Sequence, residues 1–284
     1  MPRKLISCAI CYDFDGTLAP GNMQERDFIP NIGMNTDEFW SACRTEAEQH
    51  EADQIHVYMR LMLERARSQK VKVTRENFAA YGSKLDFFPG LYASNQDNWF
   101  KRINKYGRSS GVNVEHYIVS SGIREMIQGT KIAQYFKKIY ASSFMYDHHG
   151  VAEWPALALN YTTKTQYLFR INKGSLDVWD DSVINAYVDH EKRPVPFENM
   201  IFIGDGLTDI PCFRLVKDQR GHSIAVFEPK KRRTKTQAQQ IFADGRVNFA
   251  VPTDYNERSP LDKIVKGIID KISFDTQLRA LGQI

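Results

Sequence analysis

Five short stretches of the chain are nearly continuously apolar: Leu5 to Tyr12, His116 to Val119, Met200 to Ile203, Ser223 to Phe227 and Val247 to Val251. A strand with one wet face alternates apolar and polar residues, whereas an unbroken run fits a strand covered on both faces, as in a parallel sheet. Helix-like segments separate most of these runs. Strand–helix alternation of this kind predicts an α/β sheet flanked by helices.

Between Gly21 and about Phe88 the pattern changes to helical periodicity with no buried strand. Asn35 and Glu38 form a capping pair ahead of Phe39, Trp40, Cys43 and Ala47 at helical spacing. Ile55, Tyr58, Met59, Met62 and Leu63 mark a second helix; Thr74 as cap, Phe78, Tyr81 and Gly82 as stop mark a third. The sequence Phe87-Phe88-Pro89-Gly90 punctuates the end. The expected organisation is therefore one unit built from 1–20 and 89–284, with 21–88 as an all-helical insert after the first strand. Phe28, Phe39, Trp40 and Tyr58 read as core of that insert. Ile139 to Leu157 reads as a hairpin around Asp147-His148-His149-Gly150, and Asp180 and Asp181 as a solvated connection. A further helix begins at Lys164, capped by Thr162 or Thr163, with Tyr167, Leu168 and Ile171 as its stripe and Gly174 as its stop.

Composition changes this picture little. At 284 residues, 42% hydrophobic and 25% charged, the chain fits an ordinary globular protein of one or two domains. A balance of 38 basic to 34 acidic side chains, net +4, argues for neither nucleic acid nor membrane as a partner. No apolar run approaches the roughly 18 residues of a membrane span. The two basic residues and short apolar run at the start resemble a signal peptide superficially, but the run passes straight into Asp13-Phe14-Asp15 without a small-residue cleavage site. Cys8, Cys11, Cys43 and Cys212 offer one C-x-x-C with no second pair, and residues three apart on a strand face opposite ways. Reduced core thiols and a cytoplasmic location are expected. The basic run Lys230 to Thr236 reads as a solvated loop.

Chemistry gathers where the elements end. The first apolar run stops in Asp13-Phe14-Asp15-Gly16-Thr17, the second in Ser120-Ser121, and the run Met200 to Ile203 is followed by Asp205 and Asp209. Open α/β sheets bind ligands beyond the carboxyl ends of their strands, so these clusters share one rim if the strands are parallel neighbours. Lys164, a cation in the first turn of a helix, opposes the helix dipole and calls for nearby anions. Four aspartates and one lysine leave a formal charge of −3; a divalent magnesium ion brings it to −1 and suits an all-oxygen ligand set. The Ser120 hydroxyl, Lys164 and backbone N–H groups around Phe14 to Thr17 can then hold phosphoryl oxygens, with Ser121 beside them. Of the first two aspartates, one can attack phosphorus as nucleophile while the other, kept partly protonated by its neighbour, serves as acid and base.

Taken together, Asp13-Phe14-Asp15-Gly16-Thr17-Leu18, Ser120, Lys164 and Gly204-Asp205-Gly206-Leu207-Thr208-Asp209 resemble, in order and spacing, the four motifs of the haloacid dehalogenase-like hydrolase superfamily. The resemblance covers about two thirds of the chain and implies a three-layer, Rossmann-like parallel sheet core. It implies Asp13 as nucleophile, Asp15 as general acid/base and backbone-carbonyl metal ligand, Asp205 as a further ligand, and Asp209 as orienting a metal-bound water or pairing with Lys164. The insert 21–88 is similar to the helical cap of the phosphoserine phosphatase-like group. In true phosphoserine phosphatases a glutamate after the first motif receives the substrate's amino group; simple counting puts Asn22 there, with Gln24 and Glu25 close by. The expectation is a magnesium-dependent phosphatase acting on a small phosphorylated metabolite through a phosphoaspartate. Its rivals are a phosphotransferase or phosphomutase with the same intermediate, and a non-catalytic module binding phospholigands or nucleic acid through Lys230 to Lys235.

Overall fold

Along β1 (Ile6–Tyr12) alternate side chains enter different apolar clusters, Cys8, Ile10 and Tyr12 on one face and Ala9 and Cys11 on the other. That two-sided burial is why the run contains no charged residue and keeps its small polar one, Ser7, at the half-buried start. The structure, a computed structural model, describes residues 5–92 and 98–282. The basic start of the chain lies outside the described residues. After β1 come four helices, α1 (Phe28–Asn31), α2 (Thr36–Gln49), α3 (Gln54–Ser68) and α4 (Arg75–Gly82), then α5 (Trp99–Ser109). β2 (Val112–Ile123), α6 (Arg124–Gln128), β3 (Phe136–Tyr146), β4 (Ala152–Leu157), α7 (Lys164–Lys173) and β5 (Met200–Gly204) follow. The chain continues through α8 (Ile210–Asp218), β6 (His222–Phe227), α9 (Arg232–Ala243), β7 (Phe249–Pro252) and α10 (Pro260–Leu281).

The seven strands form one sheet in the order β4-β3-β2-β1-β5-β6-β7, parallel except for the antiparallel edge pair β3–β4. Helices α7, α8 and α9 cover one face; α5, α6, α10 and the helices preceding α5 pack with the other. This is the expected three-layer α/β core. The expected hairpin is present, its turn held by the Asp147 carboxylate accepting from the His149 and Val151 amides. The sequence reading did not anticipate that β3 also pairs with β2 and so extends the parallel sheet. β1 lies at the switch point where connections leave toward opposite edges, the place where such sheets bind ligands.

The predicted caps of α2 and α4 hold: the Asn35 side chain accepts from the Glu38 amide at 2.8 Å and Thr74 Oγ1 from the Asn77 amide at 3.2 Å. At α7 the cap is reassigned. Thr163 stands at the capping position, but Asn160 Oδ1 receives the Thr162 and Thr163 amides at 3.0 and 2.9 Å. Asn160 also donates to Asp53 Oδ2, tying the start of α3 to the start of α7. α4 meets α6 backbone to backbone: a Cβ on Gly82 would overlap the Met126 carbonyl, and one on Gly129 the Ala79 carbonyl. All four cysteines are buried and free. Among the described residues no helix is long and apolar enough to cross a membrane.

Candidate active site

Asp13 and Asp15 follow β1 directly, Asp205 follows β5, and Lys164 opens α7. Ser120 and Ser121 lie near the end of β2, where the pairing with β3 loses register between Ser120 and Ile123, an irregularity that re-aims side chains. Parallel pairing of β2, β1 and β5 thus brings the clusters to one rim. Asp13, Asp15, Gly16, Ser120, Ser121, Lys164 and Asp205 all line a cavity of about 520 Å³. Asp209 is completely buried behind them.

Lys164 is the electrostatic hub. Its ammonium, 1% exposed, lies 2.8 Å from Asp209 Oδ1 and 3.1 Å from Asp13 Oδ1. Burial alone would lower its pKa, but the two carboxylates outweigh it and hold the group well above the ordinary lysine value. Burial drives Asp209 up, while Lys164 pulls it back. Asp15 is held well above the carboxylate range by burial and then by the charge of Asp13, against the Met23 amide donating to its Oδ1 at 2.9 Å. Asp205 is raised by burial and by Asp209 and Asp13. One buried cation does not satisfy four clustered carboxyls.

A divalent cation fits these residues. Asp13, Asp205 and Asp209 each offer an oxygen within 4.8 Å of the others, all hard donors. Asp13 Oδ1 is buried without a hydrogen-bond partner among the described residues, its contact with Lys164 being an ion pair. Gly16 brings the backbone against the acid: at φ +72° it takes a left-handed turn, and a Cβ there would overlap the Asp205 carboxylate.

The expected phosphate cradle is narrower than the sequence suggested. The Gly16 amide donates to Ala19 O at 2.8 Å and the Thr17 amide to Phe14 O at 3.3 Å, closing the turn internally. Phe14 and Thr17 are fully buried and do not line the cavity. The Phe14 and Asp15 amides have no acceptor among the described residues.

A family model described as haloacid dehalogenase-like hydrolase matches residues 10–214. The chain belongs to that family. Among haloacid dehalogenase-like hydrolases of solved structure, similarity extends to a family hydrolase from Salmonella enterica serovar Typhi, with 17% identity, TM-score 0.57, and 94% of this chain and 73% of that one covered. A substrate-bound phosphoserine phosphatase matches with 15% identity and TM-score 0.54, over 92% of this chain and 98% of that one. These likenesses concern the fold. An uncharacterised protein of Borreliella burgdorferi is 27% identical over 290 residues, covering 93% of this chain and 96% of the relative.

Several cavity residues escaped the sequence reading. The basic run is a correction: from Arg232 it is helix α9, not a loop, because Ala238 and Ile241 bury one side against the sheet. Lys231, paired with Glu228 at 2.7 Å, joins Thr234 and Gln237 in the cavity wall. The available signal was position, since Glu228 follows β6 and so stands on the same rim as the aspartates. Phe28, Phe39 and Tyr58 are core as expected; Tyr58 also lines the cavity, together with the partly buried Trp40 and with Arg44 of α2. Asn22 lines it too, but the Glu25 carboxylate is turned away, accepting from Asn22 Nδ2 and, at 2.8 Å, from Trp40 Nε1. Gln24 is buried, and its Oε1 has no partner among the described residues.

Proposed function

We propose that the protein hydrolyses phosphate monoesters of small metabolites through a covalent phosphoaspartate on Asp13. The observation that carries this reading is the buried Lys164 gripping Asp13 and Asp209 beneath a cavity that Asp15 and Asp205 also line. Lys164 and Ser120 bind the phosphoryl oxygens together with the Asp15 amide, which stands at the cavity wall. The Asp13 oxygen that does not face Lys164 attacks phosphorus, forming an O–P bond as the bond to the leaving alkoxide breaks. Asp15, kept protonated by its surroundings, gives its proton to that alkoxide. A water then adds to phosphorus, its proton passes to Asp15, and the bond from Asp13 to phosphorus breaks to release inorganic phosphate. Asp13, Asp205, Asp209 and the Asp15 backbone carbonyl are the groups that would serve magnesium. The bound ion would supply positive charge against the phosphoryl oxygens.

Residues 21–88 act in this reading as a cap whose Trp40, Arg44 and Tyr58 meet the leaving group. Among the described residues, the acid lining the cavity besides the aspartates of the centre is Glu228, already paired with Lys231. Asn22 offers no charge to an ammonium group, which favours a leaving group without an amine. The test is hydrolysis of p-nitrophenyl phosphate with magnesium: Asp13→Asn is expected to lose turnover by several orders of magnitude, and a chelator to abolish it in the unsubstituted protein. Wild-type turnover in Asp13→Asn would overturn the assignment. Phosphate passing to an added alcohol in preference to water would convert the reading to a phosphotransferase.

A further inference from the structure

We propose that Tyr58 is a positioning residue that, from helix α3, sets the Ser120 hydroxyl for the phosphoryl group; this rests on the phosphatase reading of the site. Tyr58 is 3% exposed, and its hydroxyl donates to the Ser121 carbonyl at 2.6 Å. Ser142 of β3 donates to the same carbonyl at 3.1 Å. The Ser142 oxygen also accepts from the Leu159 amide at 3.0 Å, which leaves its proton committed to Ser121. Two hydroxyls, one from the helical insert and one from the sheet, therefore grip one backbone oxygen.

The peptide unit that carries that oxygen ends in the Gly122 N–H, which donates to Ser120 Oγ at 3.2 Å. A peptide is planar, so fixing its carbonyl fixes its N–H. Once Ser120 Oγ accepts from Gly122, its single proton remains to donate toward the cavity. The chain of contacts runs from Tyr58 through one rigid amide to the group expected to bind phosphate. Satisfying the carbonyl does not require Tyr58, since Ser142 already does so, and a phenylalanine would fill the same apolar space without a hydroxyl to bury. The Tyr58 hydroxyl also connects two parts of the chain 63 residues apart.

The experiment is a double-substitution cycle on inorganic phosphate binding, measured by calorimetry with magnesium present for the unsubstituted protein, Tyr58→Phe, Ser120→Ala and the pair. Tyr58→Phe should weaken binding roughly threefold to tenfold, the size of one hydrogen bond. In the Ser120→Ala background the same change should have an effect within about twofold of none, because coupled positions are not additive. Equal weakening in both backgrounds, or none in either, overturns the proposal. The readout does not need turnover: phosphate binding without hydrolysis would unseat the phosphatase reading while the cycle still decides the role of Tyr58. A protein that binds no phosphate overturns both.

Discussion

Replacing Lys164 by methionine isolates the charge of the hub, because the substitute is also unbranched and can fill much of the same volume. At separations of 2.8 and 3.1 Å from Asp209 and Asp13, and an effective dielectric of about 20, the two attractions are each of order 5 to 6 kcal/mol before the desolvation of three charges is subtracted. Removing the ammonium leaves two carboxylates with oxygens within 4.8 Å of each other, a repulsion of roughly 3 kcal/mol or more on the same scale. Breaking one side of a buried ion pair typically costs about 3 to 5 kcal/mol, and that is the loss expected in urea unfolding at pH 7 with a chelator present. The sign with pH follows from the direction of the Asp209 shift. A carboxyl whose folded pKa is raised binds more protons folded than unfolded, so its destabilisation is present above the raised folded value and fades as pH falls toward the ordinary value. Without Lys164 to oppose it that shift grows, and the deficit of the variant should narrow between pH 7 and pH 5. Magnesium should narrow it too, by binding only the folded acids. A variant as stable as the unsubstituted protein at pH 7, or one whose deficit widens in acid, would refute the electrostatic account.

Three further outcomes follow from other parts of the molecule. Burial lowers the His116 pKa to about 3; its Nδ1 contacts the Tyr12 hydroxyl, which receives the Trp99 indole N–H, and its Nε2 contacts Asn104 Oδ1. Its contribution is complete above the unfolded value of about 6.5 and falls as pH drops toward 3, by at most ~1.4 kcal/mol per unit. Urea midpoints from pH 7 to pH 4 should therefore fall more steeply for the unsubstituted protein than for His116→Gln, and parallel curves would reject this. Gly16→Ala forces a left-handed backbone and pushes the Asp205 carboxylate aside, so magnesium-supported turnover should fall at least about tenfold alongside a stability loss of roughly 1 to 2 kcal/mol; unchanged activity would contradict it. Phosphoserine should be hydrolysed far more slowly than p-nitrophenyl phosphate, because Asn22 and not an acid faces the cavity; a preference for phosphoserine in a steady-state comparison would refute that argument.

The central strands were legible because burial on both faces removes Asp, Glu, Lys and Arg from β1, β5 and β6 and keeps Ser7, His222 and Ser223 near the strand starts, leaving short apolar runs that stand out along the sequence. The family motifs were legible for a related reason, since each lies at or just past the end of a strand or opens a helix. Pairing was less so: β3 reads as one arm of a hairpin, and its second partnership with β2 depends on neighbours distant in sequence. Backbone amides were the hardest to foresee. Gly16 and Thr17 stand in the right motif, yet their N–H groups close the turn that makes the motif possible. Lys231 was obscured by its neighbours: a run of cations reads as solvated, and only the anchoring of α9 through Ala238 and Ile241 shows which of them turns inward.

The contact between α4 and α6 divides the helical insert in mechanical terms. With Gly82 against the Met126 carbonyl and Gly129 against the Ala79 carbonyl, the two helices meet without side chains between them to act as bearings. The Ala152 amide adds a bond to the Val73 carbonyl at 2.8 Å, just before α4. α4 is thereby welded to the helix that leaves β2 immediately after Ile123 and to the edge hairpin. A hinge at the end of the insert would have to break these contacts, whereas one ahead of Val73 would spare them. If 21–88 is a cap that moves, this weld leaves α4 with the sheet and puts the boundary of the moving part before Val73, inside 21–88.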